Sequence, residues 1–163
     1  MQRFNANSYD SEFDRSPMKG QMRDYVVLSL ADVESGHSSI RRPHILLSIG
    51  DADAQDPRLT PSVNRLGVLR LQFDDVGRGA DPDEIPFDDF LARDVADFVL
   101  GHEPSVRIVA HCFAGIRRSA GMVAGIAQAV GDLDVRAECH RRYMPNTLVE
   151  ELTLRAVWAA LSR

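Results

Sequence analysis

The chain has 163 residues, 19 basic against 24 acidic for a formal charge of −5 at pH 7, and 44% apolar content. This is one domain's worth of core with ordinary globular composition, which excludes disordered and collagen-like classes. An acidic surface repels nucleic acid and anionic membrane, no apolar run reaches the ~18 residues of a membrane span, and Cys112 and Cys139 build no framework of bridges. The expectation is a cytoplasmic protein with free thiols and neither nucleic acid nor membrane among its partners.

Residues 1–21 are polar and lack a sustained period, so they are expected to form a flexible leader ahead of a single domain over 22–163. Tyr25–Leu30 and His44–Ile49 are short apolar runs, partly β-branched, and read as strands. Val68–Phe73 alternates, with Leu69, Leu71 and Phe73 on one face, and Val106–Ala110 is a fourth run. Phe87, Phe90, Leu91, Val95 and Phe98 recur at helical spacing, with Pro86 suited to the first turn and Gly101 to the end. The next helix spans Arg118–Val130. Its Gly121 and Gly125 share a face and cost ~1 kcal/mol each relative to Ala, which predicts close packing against the sheet. Two further helices follow, Asp132–Tyr143 and Asn146–Ser162, with Asp132 and Asn146 as N-caps. Trp158 with Leu148, Leu152 and Leu161 reads as a core stripe.

Strands alternating with helices predict an α/β domain: a mostly parallel central sheet of four to five strands flanked by helices. Ligands gather outside the carboxyl ends of such strands. Three of the predicted strands end just before Asp51, Asp74-Asp75 and Cys112, which puts two acidic loops and a cysteine on one edge.

The informative segment is Val106-Arg-Ile-Val-Ala-His-Cys-Phe-Ala-Gly-Ile-Arg-Arg-Ser-Ala120. A strand runs into His111-Cys112, five residues follow, and Arg118-Ser119 opens a helix. Backbone N–H groups of Phe113, Ala114, Gly115, Ile116, Arg117 and Arg118 can turn inward on phosphate oxygens at a helix N-terminus. Arg118 adds a planar fork for two of those oxygens, which Lys cannot copy. The same positive field lowers a thiol from ~8.5 into the range ~3.5–7.5, so Cys112 is expected to be a thiolate. Gly115 suits a tight turn or close anion approach. All basic residues but Lys19 are Arg, 18 in total, so an Arg six places after a Cys is cheap. Requiring also the preceding His, the Gly and the following Ser brings the chance to the order of 10⁻⁴.

His111-Cys112, five residues and Arg118-Ser119 resemble the signature loop of the cysteine-dependent protein tyrosine phosphatases, and the layout is similar to their small dual-specificity branch. The resemblance is specific over about 105–125. Leu69–Asp75 resembles that branch's strand entering the general-acid loop, and Arg141-Arg-Tyr-Met-Pro-Asn146 its Pro-Asn step before the last helix. The resemblance implies a hydrolase of phosphotyrosine, with dual specificity open, working through a cysteinyl-phosphate. It implies Cys112 as nucleophile, Arg118 as phosphoryl ligand, Ser119 as the hydroxyl that receives the departing thiolate, and His111 as the residue that orders the loop and lowers the thiol. Counted from the strand, Asp75 falls on the family's acid and Asp74 one residue off; Asp51 and Asp53 are further alternatives. The implied partners are a phosphorylated protein or small phosphomonoester, and inorganic oxyanions in the loop. No cofactor and no metal are implied, and Cys139-His140 with His111-Cys112 lacks zinc-site spacing.

Two departures from that family stand out. Val76–Pro86 is long for the segment after the acid and reads as a mobile flap or as a sign that the acid lies elsewhere. Arg117 replaces a small or polar residue, either as a cation selecting an acidic substrate or as a solvated side chain. Two other functions fit a reactive Cys after a strand: a rhodanese-type sulfurtransferase, and a non-catalytic phosphate-binding module of the same fold.

Overall fold

A computed structural model describes residues 23–163; the leader expected over 1–21 lies outside the described residues. The elements in order are β1 (Tyr25–Ser29), α1 (Leu30–Glu34), a 3₁₀ turn (Ser38–Arg41), β2 (His44–Gly50), β3 (Arg65–Gln72), α2 (Asp89–Leu100), β4 (Arg107–Cys112), α3 (Arg118–Ala129), α4 (Leu133–Arg142) and α5 (Thr147–Leu161). The four strands form one sheet in the order β1-β4-β2-β3, every pairing parallel. This is the α/β architecture expected, with four strands and five flanking α-helices among the described residues.

The twofold period of a strand sorts the apolar runs onto two faces. Tyr25, Val27, Ile45, Leu47, Ile49, Ile108, Ala110 and Cys112 join the larger core, which α2, α3, α4 and α5 complete. Val26, Leu28, Leu46 and Val109 face the other way and pack with Val33, Ile40 and Leu59. Burial on both faces is why β1, β2 and β4 read as continuous apolar runs. The edge strand β3 is the one that alternates.

Four local expectations are corrected. Asp88 caps α2 by accepting from the Phe90 and Leu91 amides, so the helix starts after Pro86 and Phe87. Phe87 is buried because it packs on Phe73, ring centroids 4.8 Å apart; Phe90 lies outside the core, 72% exposed beneath Arg93. Gly121 and Gly125 make room for a helix rather than for the sheet. A Cβ on either would stand 2.6 Å from a backbone oxygen, of Asn146 and Glu150 respectively. Leu148 and Leu152 are core residues, but Trp158 and Leu161 are 61% and 51% exposed on the last turns of α5.

Because all strands run the same way, β2, β3 and β4 deliver Asp51, Asp74-Asp75 and Cys112 to a single edge.

Candidate active site

Cys112 is the last residue of β4, and α3 begins at Arg118. The turn between them has no regular hydrogen-bond ladder, so neighbouring segments hold it. The Leu30 amide donates to the Phe113 carbonyl (3.1 Å), Met144 to that of Ile116 (3.3 Å) and Asn146 to that of Arg117 (2.9 Å). Gly115 sits at φ +68°, and a Cβ there would lie 2.6 Å from the carbonyl of Leu28 at the end of β1. No side chain but hydrogen fits that position.

The loop closes over a buried sulfur. Burial is the largest single influence on the Cys112 thiol and raises its pKa. Opposing it are the Ser119 hydroxyl, 3.2 Å from Sγ, and the amides of Ser119, Ile116 and Gly115, which together hold the thiol below its ordinary value of 9.0. Donors to the charged form favour it. Cys139, buried in the core within α4, goes the other way: burial, with Glu150 nearby, pushes it up to about 12.

His111 faces the smaller core. In register it sits opposite Ser48 of β2, and Ser48 sits opposite Arg70 of β3. The contacts follow that row: Arg70 Nη1 donates to Ser48 Oγ (3.2 Å), Ser48 Oγ lies 2.8 Å from His111 Nε2, and His111 Nδ1 reaches the Cys112 carbonyl at 3.4 Å. A carbonyl only accepts, so Nδ1 carries the proton and Nε2 accepts from Ser48. Burial, with Arg70 adding to it and the Cys112 carbonyl opposing, pushes the imidazole down to about 4. His111 is therefore neutral at pH 7. It orders the loop through hydrogen bonds and adds no positive charge beside the sulfur.

Arg118 is only 5% exposed. Its Nη1 donates to the Phe73 carbonyl (2.8 Å) and pairs with Asp51 Oδ1 (2.7 Å), while its buried Nε meets no acceptor among the described residues. Arg117, solvent-facing, pairs through Nε with Asp75 Oδ2 (3.0 Å). The other oxygen of Asp75 accepts from Asn146 Nδ2 (2.8 Å). Asp74 has a different task. Its carboxylate accepts from the amides of Ile85 (2.8 Å) and Ala52 (3.2 Å), which hold it below the ordinary carboxylate range, and its own amide donates to the Ile85 carbonyl (2.7 Å). That staple closes the neck of the 76–85 segment. Of the four candidate acids, Asp75 and Asp51 pair with the arginines that end the cysteine loop, and Asp74 braces the neighbouring segment from outside. Asp53 is not brought to the loop by any of these contacts. Phe113, Ala114 and Ile116 line the rim, with Phe113 72% exposed.

Among solved structures, the chain is similar to the human tyrosine phosphatase-like serine/threonine/tyrosine-interacting protein. The identity is 18% and the TM-score 0.51, over 85% of this chain and 93% of that one. The fold is that of the cysteine-dependent protein tyrosine phosphatases. A second solved structure, Tk-PTP in the active form, is matched at 12% identity and a TM-score of 0.45, covering 85% of this chain and 92% of that one. No family model and no curated protein matches the chain.

Two residues at this site, Ser48 and Arg70, escape a reading by motif because they act through sheet register. Asn146, legible as the cap of α5, also holds Asp75. A signal existed for Ser48: a hydroxyl inside a fully buried run needs a partner. Among the described residues no cluster of three or more His, Cys, Asp or Glu is arranged to hold a metal, and no helix is long and apolar enough to cross a membrane.

Proposed function

We propose that the chain is a phosphoric monoester hydrolase acting on phosphotyrosine, with Cys112 as nucleophile and phosphorylated proteins or small phosphomonoesters as substrates. Phosphoserine and phosphothreonine are its test of dual specificity. The observation that carries this reading is one turn that leaves β4 at the Cys112 sulfur, 3.2 Å from the Ser119 hydroxyl, and opens the following helix at a buried Arg118 whose Nε meets no acceptor among the described residues. A buried guanidinium N–H without a protein acceptor favours an anionic ligand, because leaving such a donor unpaired is costly.

The reaction has two displacements. The Cys112 thiolate attacks phosphorus as the phosphorus–oxygen bond to the leaving group breaks, and Asp75 gives its proton to that oxygen. The acid is needed because an expelled phenolate has a conjugate acid of pKa ~10. Water then attacks the cysteinyl-phosphate, Asp75 takes its proton, and the sulfur–phosphorus bond breaks to release phosphate. Ser119 Oγ, already 3.2 Å from Sγ, stabilises the departing thiolate. Arg118 and the loop amides hold the equatorial oxygens throughout.

Fold alone does not decide activity. The similar human protein is described as phosphatase-like and interacting, so a phosphate-binding module is the second reading. Cys112→Ser separates them: turnover of p-nitrophenyl phosphate is abolished while vanadate or phosphate still binds. Residual activity within about tenfold of wild type overturns the nucleophile assignment. A wild-type protein that binds oxyanions and turns over no phosphomonoester is the module, and sulfur transfer from thiosulfate marks a sulfurtransferase.

A further inference from the structure

We propose that Arg117 is a positioning residue for Asp75, tying the acid to the phosphate-binding loop itself; this rests on the hydrolase reading above. The sequence leaves the Arg117 guanidinium as either a rim cation for acidic substrates or a solvated charge. The structure gives it another partner. Three contacts close a ring: the Asn146 amide on the Arg117 carbonyl (2.9 Å), Arg117 Nε on Asp75 Oδ2 (3.0 Å), and Asn146 Nδ2 on Asp75 Oδ1 (2.8 Å).

Each corner of the ring is anchored elsewhere. The Arg117 carbonyl also accepts from the Gly121 amide (2.9 Å), which ties it to the first turn of α3. Asn146 is buried and caps α5 through Oδ1, accepting from the Leu148 and Val149 amides, while its Nδ2 also donates to the Val76 carbonyl (3.0 Å). Asp75 follows Asp74, whose carboxylate is fixed on the Ala52 and Ile85 amides. The acid thus stands between a stapled residue and a long connecting segment. Arg117 is the contact that joins its carboxylate directly to the loop carrying Cys112. Each carboxylate oxygen has two acceptor sites, so an oxygen held by one donor still has a site through which to exchange a proton with the leaving group.

The pair faces solvent, so it adds little to global stability, and its loss is expected to act on orientation. Misplacing a reacting group by about 1 Å costs up to 10²-fold in rate. The test compares wild type, Arg117→Ala, Arg117→Lys, Asp75→Asn and the Arg117→Ala/Asp75→Asn double variant on phenyl phosphate and on 2,4-dinitrophenyl phosphate, whose leaving group needs little protonation. Expected for Arg117→Ala is a kcat/KM loss of about tenfold on phenyl phosphate and under about threefold on the dinitrophenyl ester, because kcat/KM reports the first displacement whereas both esters share the second. Vanadate inhibition stays within about twofold of wild type, and Lys restores part of the loss because it keeps the charge without the fork. In the Asp75→Asn background, Arg117→Ala has no further effect. Equal losses on both esters, a parallel weakening of vanadate, a gain in activity, or an added loss in the Asp75→Asn background each overturn the assignment. Wild-type inactivity on both esters overturns the hydrolase reading beneath it, which separates the two failures.

Discussion

Replacing Gly115 by Ala tests whether the loop's shape, rather than its composition, makes the sulfur acidic. The new Cβ meets two costs. At φ +68° an L-residue is strained by about 1–2 kcal/mol. It would also stand 2.6 Å from the Leu28 carbonyl carbon and oxygen and 2.8 Å from the Ser29 amide nitrogen. Contact distances of about 3.5–4.0 Å are needed there, and those atoms belong to paired backbone of β1, so the loop must move by about 1 Å. Such overpacking costs about 1–3 kcal/mol. Gly36 is the control, because it has φ +76° and nothing within 4 Å of its virtual Cβ. The two Ala variants therefore share the backbone strain and differ by the overpacking. At about 2–4 °C per kcal/mol for a chain of this size, Gly115→Ala melts roughly 2–12 °C below Gly36→Ala. The chemistry should respond as well. Displacing the Gly115 and Ile116 amides from Sγ raises the thiol, read as an alkaline shift in the pH profile of Cys112 alkylation. Equal melting temperatures for the two variants, or an unshifted profile, refute the claim that loop shape sets the acidity of the sulfur.

The remaining predictions concern His111 and Asp51, on two flanks of the loop. His111 is pushed down to about 4 in the folded protein against 6.5 unfolded, so the unfolded chain binds the extra proton between those values and stability rises with pH across that window. Wild type should lose about 3 kcal/mol more than His111→Gln between pH 7 and pH 4, measured by urea unfolding; parallel curves contradict the buried neutral imidazole. Asp51→Asn removes the carboxylate paired with Arg118 and should tighten vanadate or phosphate inhibition by about 3–10-fold at low ionic strength, the effect fading with added salt. Weaker inhibition instead would mean that Asp51 serves to aim the guanidinium.

What the sequence made legible is what a single segment encodes. The strand runs and the caps at Asp132 and Asn146 depend on neighbours within a few positions and form close to where their residues predict, whereas the turn after Cys112 is held by Leu30, Met144 and Asn146 from elsewhere in the chain. The misreadings share a cause: a partner from elsewhere in the chain. Phe87 matches the helical period of α2, yet its burial comes from Phe73. The small face at Gly121 and Gly125 announces close approach without saying that α5 makes it. Trp158 continues an apolar stripe but is 61% exposed among the described residues. The Arg70–Ser48–His111 row exists only once β3, β2 and β4 are in register, and register is a property of pairing. Two of the four candidate acids, Asp74 and Asp75, differ by one position, and only the folded loop separates the one bound to backbone amides from the one paired with Arg117.

The strand order explains how each arginine at the end of the cysteine loop comes to face a carboxylate. Arg117 and Arg118 are adjacent in the chain but diverge in space, because one ends the loop and the other opens α3. β2 lies next to β4, so its terminal Asp51 reaches the buried Arg118, whereas β3, one strand further out, sends Asp75 to the solvent-facing Arg117. Each guanidinium thus meets a carboxylate from a different strand, and the pairs offset the charge that the loop would otherwise present to solvent. The two pairings are not equivalent. Asp51 is more than half exposed, whereas Asp75 is held a second time by Asn146. In the hydrolase proposed above, a phosphoryl dianion would displace Asp51, since it offers Arg118 both more charge and a bidentate geometry, while Asp75 would stay with the loop to protonate what leaves.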